Sequence, residues 1–448
     1  MPAHNRRLLT GLLIGFLGVS FQAFGVVTAM PVAVRDLNAI QLYAWAFSTF
    51  VMGMVMSIVI AGRVTDNHGP AKPMIAGFSL FMVGLATAML APNIYVLIVA
   101  RLIQGIGGGA LNLTLFVLVA QLFDERQRSQ LMALLAFLWV LPAFLGPPLA
   151  AWIAEHQGWR WVFGWSLVPM VVCFVLAVGP LLRVPVVEHE HEPDPVPIWA
   201  GVTAAVSAAA IQLAGQQLNL LTIPILALGI VGLVVSIPRI MPRGFVRAKR
   251  GLPAVMWVRA LQSGTFFGAE SFIPLMLIEL RHLDVVWASL ALTIGSLGWT
   301  VGSWAQSRPW FRLRRDQMIS FGAVFTVAGI ALIVVFALIP HTPLLLPAVG
   351  WVLTGAGMGM SQANTSLAVM GLSESHVQGR NTSSLQVAEG LGIATLTGIA
   401  GSVFAGWHNA GMIRLSFVGL YVTLLVSAVI CWGFTRRIGT IPNRVANA

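Results

Sequence analysis

The chain has 448 residues, 57% of them hydrophobic and only 9% charged, with a formal net charge of +11. An average soluble domain carries about 25% charged residues, so this composition excludes one. It also speaks against a nucleic-acid partner, because the basic residues sit in short loops between apolar runs rather than on the face of a folded domain.

The first apolar run begins at Leu8, after MPAHNRR, and reaches about Val34. It is too long for the core of a cleaved signal and reads as a retained first helix. Further runs lie near 42–64, 72–91, 94–122, 130–154, 160–182, 197–214, 220–238, 254–280, 285–306, 317–339, 342–371, 383–405 and 412–435. Most are long enough to cross a bilayer core of about 30 Å, which takes roughly 20 helical residues. Continuous runs, rather than alternating ten-residue segments, predict helices and not a barrel. The sequence thus predicts an all-α integral membrane protein with fourteen crossings, embedded in a lipid bilayer.

Charge gives an independent test of that count, since Arg and Lys accumulate in cytoplasmic loops. With the N-terminus cytoplasmic, that side holds 20 of the 26 basic residues, and the other holds Arg35, Arg160 and Arg281. The remaining three, Arg101, Arg259 and Arg414, fall within apolar runs. Both termini are therefore expected to be cytoplasmic.

One tract breaks the pattern, RVPVVEHEHEPDPVP at 183–197. Its alternating His and Glu could suggest metal ligands, but a proline-flanked polar tract between helices reads as a solvated linker. It divides the chain into six helices (1–183), a linker with two helices (184–250) and six helices (251–448). Cys173 and Cys431 lie inside apolar runs without metal or disulfide spacing. No metal and no cofactor is expected.

The two halves echo each other. Gly62 and Gly302 each precede a basic loop, and GIGGGALN (105–112) has a counterpart in GAGMGMSQAN (355–364). Many secondary transporters are built from such paired halves.

Three local sequences are more specific. AGRVTDNHGPAK (61–72) carries Gly62, Asp66 and Gly69, with Lys72 nearby; RLIQGIGGGA (101–110) carries Arg101, Gln104, Gly105 and Gly107; LPAFLGPPLAAW (141–152) carries Gly146 and Pro147. In this order they resemble the motifs of the major facilitator superfamily, in particular its fourteen-helix drug/proton antiporter branch, and the resemblance covers essentially the whole chain. It implies the major facilitator fold, two six-helix bundles plus two additional central helices, in a bacterial cytoplasmic (inner) membrane protein. It also implies that Gly62, Asp66 and Gly69 form a conformational latch closing on the segment near Ser383, with the glycines in the turn. Asn67, Pro70 and Ala71 stand where relatives usually have basic residues, which predicts a weakened latch. Gly146 and Pro147 would kink the fifth helix, although Pro142, Ala150 and Ala151 depart from the motif's glycines.

Intramembrane charge is costly and usually faces a cavity or a partner. Of fifteen acidic residues, Glu270 and Glu389 sit well inside apolar runs, and with Arg101 they are the proton-coupling candidates. Glu270 could serve that role or pair structurally with another helix; Glu389 could snorkel, pair with Arg380 or exchange a proton. Arg259, Ser263, Phe266 and Glu270 recur at helical spacing on one face, with Gln262 beside them. Arg259, Gln262 and Phe266 join Gln22, Phe24 and Trp139 as substrate-cavity candidates, and Phe21, Trp257 and Phe267 could add aromatic walls. Gln22 stands where this branch usually has a carboxylate, so titration falls to other residues.

The expected function is a proton-driven exporter of lipophilic small molecules, working as a monomer. Export of an endogenous metabolite, lipid or anionic compound, with weak or no proton coupling, is the alternative. A membrane enzyme is not expected, because no loop holds a nucleophile and base pair or metal-ligand spacing.

Overall fold

The structure is a computed structural model that describes residues 3–123, 125–184, 197–216, 222–306, 308, 313–374 and 377–441. The His/Glu tract at 185–196 lies outside them. The described residues form fourteen long α-helices and one 3-10 turn, Ile40–Leu42. They are α1 (Ala3–Asp36), α2 (Trp45–His68), α3 (Ala71–Met89), α4 (Ile94–Leu122), α5 (Glu125–His156), α6 (Arg160–Leu181) and α7 (Ile198–Gln216). The chain continues through α8 (Thr222–Ile240), α9 (Leu252–Arg281), α10 (Val285–Gln306), α11 (Arg315–Leu338), α12 (Leu345–Leu372), α13 (Gln378–Asn409) and α14 (Ile413–Thr435).

Twelve of these helices are long and apolar enough to cross a membrane. The two that fall short in apolarity, α9 and α12, are among the longest, at 30 and 28 residues. Their residues are mostly buried against other helices. A helix shielded by protein need not present apolar side chains to lipid, and it can carry the polar groups that other helices cannot. By contrast α8 leaves Leu228, Val231 and Val234 exposed, as a lipid-facing helix should.

The chain forms two compact units, Met1–Ala205 with Asp284–Leu290, and Val206–Leu283 with Ala291–Ala448. Within the first, α2 and α3 pack on α4, and α5 and α6 pack on α1. Within the second, α13 and α14 pack on α9, and α11 packs on α12 and α14.

Glycines set the tightest of these contacts, and they do so twice in the same way. A Cβ on Gly105, Gly107 or Gly109 of α4 would strike backbone at Phe50, at Gly77 and Phe81, or at Met54. On α12, Gly355, Gly357 and Gly359 stand 250 positions later and meet backbone at Gly295, Gly322 and Trp299. Those last three lie 245 positions beyond Phe50, Gly77 and Met54. The echo in sequence is a repeated mode of small-residue helix packing.

The stretch at 61–72 folds differently from its expected turn. Helix α2 runs on through Gly62, Arg63 and Asp66 to His68, so Gly62 is a helical residue and not part of the turn. The reversal is made at Gly69 and Pro70 alone. Gly69 has φ 75°, and its N–H donates to the Thr65 carbonyl, closing the helix. Only glycine adopts such a backbone without strain.

Candidate functional site

Among the described residues, a dense buried polar cluster lies in the second unit, where α9, α12 and α13 meet. Two glycines allow the approach: a Cβ on Gly264 of α9 would collide with Gly392 of α13, and one on Gly392 would collide with Ala260. With the backbones this close, short side chains can bridge them. Arg259 Nε lies 3.0 Å from Glu389 Oε2, with the two side chains only 8% and 16% exposed. That N–H is not aligned for a hydrogen bond, so the contact is an ion pair. The same guanidinium donates through one terminal nitrogen to the Gln362 carbonyl (2.6 Å) and to Thr365 Oγ1 (2.7 Å), both on α12. The other oxygen of Glu389 accepts from Ser263 Oγ at 2.9 Å and from Gln362 Nε2 at 3.0 Å. Glu389 is therefore paired with Arg259 rather than with Arg380 or the interface. Residue 380 precedes it by nine positions on the same helix, about 13.5 Å along the axis.

Glu270, eleven residues beyond Arg259 on α9, stands apart from this cluster. No hydrogen bond or ion pair reaches its carboxyl among the described residues, so the alternative of a structural pair with another helix is not met. One turn before it, Phe266 stacks on Trp351 of α12 with ring centroids 4.9 Å apart and planes 16° apart. Phe266 also meets Trp299 of α10 and Phe267 edge-on. The buried indole N–H of Trp351 has no acceptor. Gln262 turns aside from this face, donating to the Gly357 carbonyl at 3.1 Å and, more weakly, to Thr326. Trp257 is packing: it is stacked between Phe245 and Phe434, with its N–H on the Phe245 carbonyl.

The first unit holds a shorter polar chain. Arg101 on α4, only 4% exposed, donates to the Ala46 carbonyl of α2 at 2.8 Å and to Gln104 Oε1 at 2.5 Å. Its guanidinium lies 4.4 Å from the centre of the Phe50 ring, a cation–π contact. Gln22 of α1 donates to the same Gln104 oxygen at 3.0 Å, so Gln22 and Arg101 are linked through Gln104. No carboxylate contacts Arg101 among the described residues. Trp139 of α5 is 39% exposed and touches Phe16 and Phe24 of α1, with centroids 6.0 and 5.9 Å away.

Helix α5 runs unbroken through Pro142, Pro147 and Pro148. Gly146 faces Phe24 and Phe21 of α1 at ordinary contact distance. Beside it an apolar groove of about 470 Å³, open on the surface, lies among Gly18, Phe21, Pro142, Leu145, Leu149 and Trp165. Gln362, Thr365, Trp299 and Trp351 carry no motif. For Gln362 and Thr365 the only sequence signal is the run of polar side chains in SQANTS (361–366), inside a segment otherwise rich in Gly and apolar residues; Trp299 and Trp351 carry none.

A sequence profile of the Major Facilitator Superfamily matches residues 12–397. The chain is 26% identical over 443 residues to an uncharacterized MFS-type transporter of Mycobacterium tuberculosis, covering 95% of this chain and 60% of that protein. It is 27% identical over 418 residues to Multidrug resistance protein 3 of Bacillus subtilis, covering 90% and 80%. The chain thus spans about three fifths of the length of the M. tuberculosis relative. Among solved structures, a POT family transporter in complex with 5-aminolevulinic acid superposes with a TM-score of 0.73 at 13% identity, over 96% of each chain. An auto-inhibited POT family peptide transporter gives 0.67 at 17%, over 98% of each. These share the fold. Since the profile runs through most of the chain and through both compact units, the protein belongs to the Major Facilitator Superfamily, a family of multi-pass membrane transporters, and is not an enzyme.

Proposed function

We propose that the protein is a proton-coupled exporter of lipophilic small molecules. The observation that carries this reading is Glu270, a carboxyl with no polar partner among the described residues, one helical turn from Phe266, which itself packs against the Phe267, Trp299 and Trp351 rings. A carboxyl that no side chain neutralises can take either a proton or the positive end of a ligand, and one occupant excludes the other. Aromatic rings beside it supply apolar and cation–π contacts to the rest of such a ligand. Names of relatives support the direction of transport: one is Multidrug resistance protein 3, and another, 25% identical over 300 residues, is a probable multidrug-efflux transporter of M. tuberculosis. In this reading all fourteen helices cross the membrane, α9 and α12 being shielded by the others. Residues 1–183 and 251–448 act as the two moving bundles, with 184–250 joining them in the chain.

The test is efflux from proteoliposomes under an imposed pH gradient, across a panel of lipophilic cations and neutral compounds. Glu270→Gln should abolish gradient-driven efflux while the unfolding temperature stays within a few degrees of native, because no bond is lost. Glu389→Gln should weaken it. Unchanged gradient-driven efflux in both variants would sink the assignment of the proton sites, and efflux indifferent to the gradient in the native protein would sink antiport itself.

Asp66 acts here as a latch of the transport cycle. Asp66→Asn is expected to slow efflux several-fold with no loss of folded protein; efflux at the native rate would remove that role.

One observation favours a second reading, export of an anionic compound. Arg101 is buried without a carboxylate partner among the described residues, whereas Arg259 is neutralised by Glu389. The same assay with anionic substrates and Arg101→Gln separates the two.

A further inference from the structure

We propose that the side-chain amide of Gln362 reads the protonation state of Glu389 by reversing, donating to the carboxylate and accepting from the acid. The inference rests on the reading of Glu389 as a proton-exchanging residue and names the group that makes the exchange possible inside a packed helix junction.

A carboxylate only accepts hydrogen bonds. With Glu389 ionised, the amide of Gln362 must therefore turn its nitrogen toward it, as it does at 3.0 Å. The choice between amide oxygen and nitrogen is thus fixed by the partner. The consequence falls on the other end of the same amide: Gln362 Oε1 is buried and receives no hydrogen bond. Other described glutamines also bury an amide atom without a partner, Gln262 on α9 among them, but Gln362 is the one whose amide also touches Glu389. Its empty oxygen is the acceptor needed in the other protonation state.

Among the remaining neighbours only the Ser263 hydroxyl can also accept. Arg259 only donates, and it is the charged side chain that faces Glu389. Helix α12 has no titratable residue, and neither does α7. On α14, Tyr421 and Cys431 reach the carbonyls of Ala269 and Val258 on α9, and Arg414 reaches Ala337. Arg239 is at the end of α8, and on α13 itself Arg380 and His408 lie nine and nineteen residues from Glu389. The Ser263 hydroxyl donates to the same carboxyl oxygen as Gln362, and it can accept from the acid only by turning its own proton away from that oxygen. When Glu389 gains a proton, its new O–H has two acceptors within reach, the Ser263 hydroxyl and Gln362 Oε1, the latter brought round by half a turn about the last side-chain bond; we assign it to Gln362, whose oxygen is otherwise empty. The orphan oxygen is then filled.

The amide therefore keeps α12 and α13 hydrogen-bonded in both states. Arg259 retains its bonds to the Gln362 carbonyl and Thr365 in either state, so α9 stays tied to α12. What changes is the attraction between Arg259 and Glu389. Protonation loosens α13 from α9 without leaving a carboxylic acid stranded.

Infrared difference spectra of the full-length protein in lipid bilayers, stepped between high and low pH, test this directly. The native protein should show a protonated-carboxyl band that Glu389→Gln removes. Gln362→Met, which keeps the size but has neither donor nor strong acceptor, should move that band to higher frequency, because the acid O–H loses its acceptor. As a measurement on the native chain, independent of whether Gln362→Met folds, glutamine carrying carbon-13 at the side-chain carbonyl should show an amide band that changes with pH and becomes silent in Glu389→Gln. Absence of any band assignable to Glu389 would overturn its role as a proton carrier. A Glu389 band unmoved in Gln362→Met, or a labelled amide indifferent to pH, would overturn the role of Gln362 while leaving Glu389 as a carrier.

Discussion

Replacing Arg259 by methionine is expected to destabilise the protein by about 3–5 kcal/mol, the usual consequence of leaving one member of a buried ion pair behind. Glu389 would keep its bonds to Ser263 and Gln362 but lose its counter-charge among side chains that are mostly buried. The α12 groups that accept from Arg259, the Gln362 carbonyl and Thr365 Oγ1, would lose a charged donor. Adding Glu389→Gln should recover most of the loss, since the glutamine is neutral and can still accept from Ser263. Arg259→Lys is predicted to behave more like methionine than like arginine. A single ammonium cannot span Glu389 on one helix and two acceptors on another as the planar guanidinium does. The measurement is a double-mutant cycle on unfolding in detergent. A coupling energy near zero between positions 259 and 389 would show that the pair contributes nothing beyond its separate side chains.

That ion pair also marks where the sequence stops being readable. The fourteen apolar runs correspond to α1–α14, with the largest end errors at residues 8, 130 and 383, against helix starts at Ala3, Glu125 and Gln378. Those errors fall where polar and charged residues continue the helix beyond the apolar run. The same blindness puts Gly62 in a turn: hydropathy falls at Gly62 and Arg63, yet helical hydrogen bonding persists to Gly69. It also bears on the count of crossings. Apolarity identifies helices that face lipid, so α9 and α12, shielded by their neighbours and carrying the site, are the two that fall short. Spacing along α9 correctly puts Arg259 and Ser263 on one face, because both reach Glu389. It could not name Glu389 as their partner, because 126 residues separate Ser263 from it and only helix packing closes that distance. Gln22 is legible as a buried polar residue in α1, but its partner Gln104 likewise depends on how α1 meets α4.

The packing that brings these residues together leads to a prediction of opposite signs within one helix. Helix α13 contains Gly392 and Gly406. A Cβ on Gly392 would lie 2.6 and 2.7 Å from the carbonyl carbon and Cα of Ala260, and closer still to its oxygen. Backbone cannot rotate out of the way as a side chain can, so α9 and α13 would have to move apart. Overpacking typically costs about 1–3 kcal/mol and at times more, and Gly392→Ala should lie at the upper end. It should also weaken gradient-driven efflux beyond what lost stability explains, because separation of α9 from α13 pulls Arg259 and Ser263 off Glu389. At Gly406 nothing lies within 4 Å of the place a methyl group would take, and the helix continues to Asn409. There the added methyl meets no obstacle and the helix gains from alanine's higher propensity, by up to about 1 kcal/mol. Thermal unfolding of the two variants side by side checks this: Gly392→Ala should melt below the native protein and Gly406→Ala at or above it. Equal melting temperatures would mean that α13 is held to α9 by something other than the glycine contact, and the close approach that builds the site would lose its explanation.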